Sequence, residues 1–180
     1  MTTIISDELR KKIASVTIFV TDVDGVLTDG GIIMDQRGDE LKQFNVRDGH
    51  GLKLLIRHGI TVAFLTGRES PVVSRRARDL GIEEVYQGIK DKGPFMADYL
   101  ARKGLAPSEA AYAGDDIVDI PVFRQVGFAV AVGDACREVR EAADYVAGEK
   151  GGRGAIRETC ELILKVQNKW PDVMRRYGIE

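Results

Sequence analysis

Short apolar runs alternate along the chain with segments whose apolar residues recur every three or four positions, and each run ends in a Gly, Thr or Asp cluster. A run that is apolar on both faces followed by a helical period is the βαβ rhythm of a parallel sheet, because a parallel pair needs a crossover long enough to hold a helix. The pattern predicts strands over 16–21, 61–65, 84–86, 110–113 and 128–130, with a short one near 144–146. Helices are expected near 49–58, 71–80, 93–103, 117–125 and 136–142, and a last one near 154–167 follows the sheet. The expected fold class is α/β: a three-layer, Rossmann-like parallel sheet flanked by helices.

One segment breaks the rhythm. Residues 30–46 carry Gly31-Ile32-Ile33-Met34, a turn at Asp35-Gln36-Arg37-Gly38, and then Leu41-Lys42-Gln43-Phe44-Asn45-Val46. This reads as a small β-hairpin inserted after the first strand, and the spacing leaves no room for a large cap domain. Ile32, Ile33, Met34 and Phe44 on so short a ribbon would be unstable bare in water, which points to burial in an oligomer. Gly148–Gly154 reads as a flexible loop bearing Lys150 and Arg153. The tail at 168–180, with Trp170, Pro171, Val173, Met174 and Tyr177, either anchors on a partner or packs on its own domain. With 180 residues and no internal repeat, residues 1–180 are expected to form a single domain.

Charge and cysteine content narrow the function classes. A net charge of −2 with acids and bases interspersed gives no general attraction to nucleic acid or anionic lipid, although a local cationic site for a small anion is compatible with it. No apolar run approaches the length of a membrane span, and residues 1–15 lack the continuous apolar core of a signal peptide, so a cytoplasmic location is expected. Cys136 and Cys160 have no Cys or His at metal-site spacing; they read as small hydrophobes in a reducing compartment, and any metal as oxygen-ligated. His50 and His58 read as partly buried helix residues.

The chemistry-bearing residues lie at the ends of the predicted strands. Ile18-Phe19-Val20-Thr21 runs into Asp22-Val23-Asp24-Gly25-Val26, which sets two carboxylates on the C-terminal lip, where α/β proteins bind ligands. Alternate residues of an extended chain share a face, so Asp22 and Asp24 address one centre while Val23 points into the packing. Paired aspartates also form turns. The 61–65 run ends in Thr66-Gly67-Arg68, offering a hydroxyl and a backbone N–H at the same edge or, equally, a helix N-cap. Lys92, at the start of a helix, can reach a phosphate or be a plain surface lysine. Gly114-Asp115-Asp116-Ile117-Val118-Asp119 is an acidic cluster that would also suit a helix dipole. Four strand ends bearing complementary groups in this order are improbable as independent caps.

Together, Asp-Val-Asp-Gly-Val at 22–26, Leu-Thr-Gly-Arg at 65–68, Lys92 and Gly-Asp-Asp-x-x-Asp at 114–119 resemble the haloacid dehalogenase superfamily of phosphotransferases. The resemblance implies Mg²⁺ held by the side chains of Asp22 and Asp115 and the backbone carbonyl of Asp24. Asp22, Asp24, Asp115 and Asp116 gathered in one pocket would repel one another without a cation, and Mg²⁺ takes oxygen ligands. The resemblance further implies that Asp22 is the nucleophile, forming an aspartyl-phosphate, and that Asp24 is the acid and then the base. Thr66 and the Gly67 amide would bind phosphate oxygens, with Lys92 holding the same group. Asp116 and Asp119 would orient Lys92 or a metal water.

Thr28-Asp29-Gly30, the Phe44–Gly49 segment and Gly151-Gly152-Arg153-Gly154-Ala155 further resemble the capless 3-deoxy-D-manno-octulosonate 8-phosphate phosphatase family, over roughly residues 10 to 167. That resemblance implies a phosphoric monoester hydrolase of lipopolysaccharide precursor synthesis, acting as a homotetramer in which hairpins associate and a neighbour completes the active site. It assigns Arg68, Arg47, Asp48 and Arg153 to substrate; guanidinium pairs bidentately with a sugar-acid carboxylate, as Arg47 would, and the alternative for Arg47 is a surface pair with Asp48 or Glu40. Arginine at positions 68 and 153, where related 9-phosphate phosphatases carry acids, favours the 8-phosphate. The rivals are a nonulosonate 9-phosphate phosphatase and a noncatalytic oligomerisation module. A phosphoacceptor receiver domain is disfavoured because it splits its acids between the first and third strands.

Overall fold

The computed structural model describes residues 5–179. In chain order its elements are α1 (Asp7–Ala14), β1 (Ile18–Thr21), β2 (Ile33–Met34), β3 (Glu40–Leu41), α2 (Val46–Arg57), β4 (Thr61–Leu65), α3 (Pro71–Leu80), β5 (Glu84–Tyr86), α4 (Lys92–Lys103), β6 (Ala110–Gly114), α5 (Ile120–Phe123), β7 (Phe128–Ala131), α6 (Arg137–Ala142), β8 (Tyr145–Val146), α7 (Ala155–Val166) and α8 (Trp170–Arg176). Six strands form one parallel sheet in the order β5-β4-β1-β6-β7-β8, and β2 pairs antiparallel with β3 as a separate ribbon. The α/β expectation holds.

β1 lies between β4 and β6, so the chain moves outward to one side through β4 and β5, then returns across β1 to build β6, β7 and β8. Right-handed crossovers then place α2 and α3 on one face and α4, α5 and α6 on the other. The packing agrees: α2 lies against α7 and α3, while α4 and α6 both contact α5. The point where strand order reverses leaves a crevice beyond the C-terminal end of β1. Register fixes what borders it, since Thr21 pairs with Phe64 on one side and Ala113 on the other. The residues that follow, Asp22, Leu65-Thr66 and Gly114-Asp115, therefore emerge side by side. All of Ile18–Thr21 is buried, as a strand covered on both faces requires.

Several expectations are corrected. The predicted 117–125 helix is a 3₁₀ turn, Ile117–Asp119, followed by the short α5, because Pro121 has no N–H to continue a helix and instead opens a new one. α2 starts earlier than its apolar period, since the Asn45 side chain accepts from the Arg47 N–H. α1 and α8 were not expected. α1 is opened by Ser6, whose hydroxyl accepts from the Leu9 N–H, with acids in the first turn and lysines in the last.

The 148–154 segment is not a loose loop. Glu158 accepts from the Gly148 and Glu149 N–H groups, Asp134 from Gly151 and Asp48 from Gly154. The tail packs on its own domain: Val173 is buried, Arg157 and Lys165 flank the Trp170 ring, and Tyr177 Oη meets His50 Nε2 at 3.0 Å. On the hairpin, Ile32, Ile33, Met34 and Leu41 are exposed, whereas Phe44 is half-buried beneath the Arg76 guanidinium. Among the described residues no helix is long and apolar enough to cross a membrane.

Candidate active site

A cleft of about 330 Å³ opens at the C-terminal lip of the sheet, lined by Asp22, Asp24, Thr66, Gly67, Arg68, Ile89, Lys90, Lys92, Asp115, Asp116 and Val118. A larger depression of about 610 Å³ beside α3 and β5 gathers no comparable chemistry. Asp22 is 7 % exposed; its Oδ1 accepts from the Val23 N–H at 2.7 Å and its Oδ2 from Lys92 Nζ at 2.7 Å. Lys92, the first residue of α4, is buried and donates also to Asp119 Oδ1 at 2.7 Å and to Tyr112 Oη at 3.2 Å. Its three N–H groups are thus all placed, which fixes the ammonium against Asp22.

Asp119 is fully buried and anchors this arrangement. Its Oδ1 accepts from Lys92 and from Tyr112 Oη at 2.7 Å, and its Oδ2 from the Asp115 and Asp116 N–H groups at 3.0 and 3.3 Å. Asp116 is exposed on the rim and caps the Ile117–Asp119 turn by accepting from the Ile117 N–H at 2.7 Å. Of the two acids expected to orient Lys92 or a metal water, Asp119 touches Lys92; Asp116 does not, and sits at the start of the helical turn, where the alternative reading placed the cluster's acids.

One carboxylate oxygen each from Asp22, Asp115 and Asp119 lie within 4.8 Å of one another. Burial, opposed by Lys92 and reinforced by Asp119, pushes the Asp22 carboxyl up from 3.8 to about 6. Burial, then the charges of Asp22 and Asp119, push Asp115 from 3.8 to about 7. Lys92 alone does not offset this gathering of carboxylates, and an all-oxygen donor set fits a hard divalent cation such as Mg²⁺. Asp119 has both oxygens engaged by four donors, whereas each Asp22 oxygen accepts from only one, which leaves Asp22 and Asp115 as the carboxylates with lone pairs to offer an ion. Gly25 permits this approach: its φ is +83°, and a Cβ there would fall 2.0 Å from Asp115 Oδ2.

Asp24 stands at the mouth, half-buried, its Oδ1 bonded by Lys42 Nζ and its Oδ2 without a hydrogen bond, 3.6 Å from Arg68 Nε. Thr66 is buried, with its Oγ1 accepting from the Arg68 N–H at 3.4 Å. Arg68 donates to Glu40 Oε1 at 2.7 Å, and Lys90 Nζ to the Gly67 carbonyl at 2.5 Å. Three expected substrate contacts lie outside the cleft of their own chain. Arg47 is exposed on the first turn of α2. Arg153 is exposed and pairs with Asp29 at 3.1 Å. Asp48 is a correction: it is buried, accepting from the Gly154 and Arg157 N–H groups at 3.2 and 2.7 Å, and so caps α7 rather than facing a ligand.

Sequence reading missed Glu40, Lys42, Ser70 and Tyr112. Glu40 and Lys42 lie two apart at the end of β3, a charged face opposite the exposed Leu41, and that alternation was the available signal. Tyr112 gave none, since a tyrosine inside an apolar strand reads as core.

The model for haloacid dehalogenase-like hydrolases matches residues 82–157. The 3-deoxy-D-manno-octulosonate 8-phosphate phosphatase of Yersinia pestis is 46 % identical over 165 residues, covering 92 % of this chain and 88 % of that protein. Its crystal structure superposes with a TM-score of 0.89 at 46 % identity, covering 92 % of this chain and 89 % of that one. The enzyme of that name from Moraxella catarrhalis, solved with magnesium, phosphate and KDO, gives 0.93 at 40 % identity, covering 96 % and 99 %. A cobalt-bound enzyme from Haemophilus influenzae gives 0.84 at 43 % identity over 88 % and 92 %. With nearly half its residues shared over almost its whole length, the chain belongs to the 3-deoxy-D-manno-octulosonate 8-phosphate phosphatase family of haloacid dehalogenase-like hydrolases.

Proposed function

We propose that this chain is a magnesium-dependent phosphatase that hydrolyses 3-deoxy-D-manno-octulosonate 8-phosphate to the free sugar acid and phosphate, supplying a lipopolysaccharide precursor. The observation that carries this reading is the convergence of Asp22, Thr66, Lys92 and Asp115 on one cleft that Asp24 overhangs. Asp22, Asp115 and the Asp24 carbonyl would hold Mg²⁺, which when bound offsets the carboxylates and draws charge from the phosphoryl oxygens. Asp22 attacks phosphorus, and the bond from phosphorus to the sugar oxygen breaks as Asp24 protonates that oxygen. Asp24 then takes a proton from the water that attacks the aspartyl-phosphate, which releases phosphate and restores Asp22. Thr66 and the Gly67 amide hold the phosphoryl group, Lys92 offsets its charge and turns an N–H from Tyr112, its longest contact, toward it, and Arg68 on the cleft wall is the cation for the sugar acid.

The same reading extends to assembly. Residues 1–180 act as one domain, and four copies associate through the 30–46 hairpins. Arg47 and Arg153, exposed and outside their own cleft, are available to a neighbour's substrate. A phosphorylated sugar acid cannot cross a bilayer unaided, which supports a cytoplasmic enzyme. A magnesium-dependent phosphate-release screen over sugar phosphates, including the 8- and 9-phosphates of sugar acids, tests reaction and substrate together. The 8-phosphate should be hydrolysed fastest, EDTA should stop turnover, and Asp22→Asn should abolish it with the fold intact. A preference for the 9-phosphate would overturn the substrate, and release undiminished by EDTA would overturn the metal.

A further inference from the structure

The hairpin brings two charged side chains, Glu40 and Lys42, against Arg68 and Asp24 of the cleft wall. Lys42 lies just past β3, and its side chain, only 2 % exposed, donates to Asp24 Oδ1 and lies 3.2 Å from Glu40 Oε1. Glu40 in turn accepts from Arg68 Nη2 at 2.7 Å and from Ser70 Oγ at 2.5 Å. The Ser70 hydroxyl, and the Lys42 and Arg68 cations behind it, hold the Glu40 carboxyl below its ordinary range against the cost of burial. The chain Asp24–Lys42–Glu40–Arg68 and Ser70 thus ties the first strand's loop, the hairpin and the loop after β4 into one network.

Its effect on Asp24 is asymmetric. Oδ1 is pinned by the ammonium, whereas Oδ2 is buried, has no hydrogen-bond partner and faces Arg68 Nε at 3.6 Å. A buried acceptor held by a long ion pair and no hydrogen bond is costly, and a catalytic role is one reason a protein keeps such an atom. Resting on the phosphatase reading above, we propose that Lys42, braced by Glu40, is a positioning residue for proton transfer: it fixes the Asp24 carboxyl by one oxygen so that the other carries the proton to the departing sugar oxygen. As the proton moves from Asp24 to that oxygen and the phosphorus bond to it breaks, negative charge grows on a carboxylate that the ammonium already faces. A preplaced charge of this kind favours the transition state with little reorganisation. Because both residues belong to the hairpin, the acid step depends on how that ribbon is seated.

First-turnover release of the leaving group separates this role from general damage. A sugar alkoxide needs a proton to leave, and 4-nitrophenolate does not, so 4-nitrophenyl phosphate reports on the nucleophile and metal alone. Lys42→Gln should slow release of sugar from 3-deoxy-D-manno-octulosonate 8-phosphate, or from whichever sugar phosphate the screen finds hydrolysed, by about tenfold or more. Nitrophenolate release should stay within about threefold of wild type, a margin well short of losing an acid catalyst. Glu40→Gln, which keeps the shape of the bracing residue, should show the same split in smaller measure, and it carries the test if Lys42→Gln does not fold. Equal slowing of both esters in a folded variant, or no slowing of either, overturns the proposal. A wild type that releases neither leaving group instead overturns the phosphatase reading on which it rests.

Discussion

The titration of Asp22 and Asp115 follows from their placement and has a measurable consequence. Their raised values mean that, between the ordinary 3.8 and about 7, the metal-free native state binds more protons than the unfolded chain. Metal-free stability should therefore fall as pH rises through that window, the reverse of the usual salt-bridged carboxylate. A cation that takes these oxygens must displace their protons, so its affinity should weaken by up to about tenfold per unit per proton as pH drops below 7. Thermal melts with and without saturating MgCl₂ should show a larger shift at pH 8 than at pH 5.5; equal shifts would mean that these two acids do not bind the ion. The positions of both residues were legible from sequence because each follows its own strand directly, and strand ends in a parallel sheet share one edge. The pairing of Lys42 with Asp24 was not, because it depends on how a two-stranded ribbon folds back, which no local pattern encodes.

Asp48 illustrates the same limit for an element. α7 begins at Ala155, and the residue before it, Gly154, has no side-chain oxygen with which to cap it. Asp48, on the first turn of α2, reaches across to accept from the Gly154 and Arg157 N–H groups. α2 and α7 approach closely where Gly51 faces Cys160, since a Cβ on Gly51 would lie 3.2 Å from the cysteine Cβ. Read within its motif, Asp48 looked like a substrate ligand; only the packing of two helices distant in sequence shows it as a cap. Asp48→Ala should cost about 1–3 kcal/mol in urea unfolding, through the lost cap and the N–H groups left unsatisfied, and Asp48→Asn less because one acceptor oxygen remains. An unchanged unfolding midpoint in Asp48→Ala would show that water replaces the carboxylate. Elements with a strong period, such as β4 and α3, matched their predicted spans, while α1 and α8 were missed because short amphipathic ends carry too few apolar positions to stand out.

At the scale of the whole molecule, the sheet's reversal of strand order provides a crevice, and the chain brings one small element up to its edge. What it brings is the hairpin, with Ile32 and Met34 each 61 % exposed on the ribbon whose Glu40 and Lys42 pair with Arg68 and Asp24 of the cleft wall. Burying such side chains is worth about 1.5–3 kcal/mol each, and that is the driving force the proposed tetramer would draw on, repeated around its symmetry axes. A charge placed among them would have to be desolvated without a partner. Met34→Glu should therefore dissociate the proposed tetramer to smaller species in sedimentation velocity while leaving the circular dichroism spectrum of the α/β core unchanged. Activity on the sugar-acid phosphate should fall along with assembly, because the ribbon that loses its neighbours is the one that seats Lys42 against Asp24. A Met34→Glu protein that stays tetrameric, or a wild type that is already monomeric, would remove the hairpin from the assembly. It would leave the four exposed apolar side chains to be explained by a different partner.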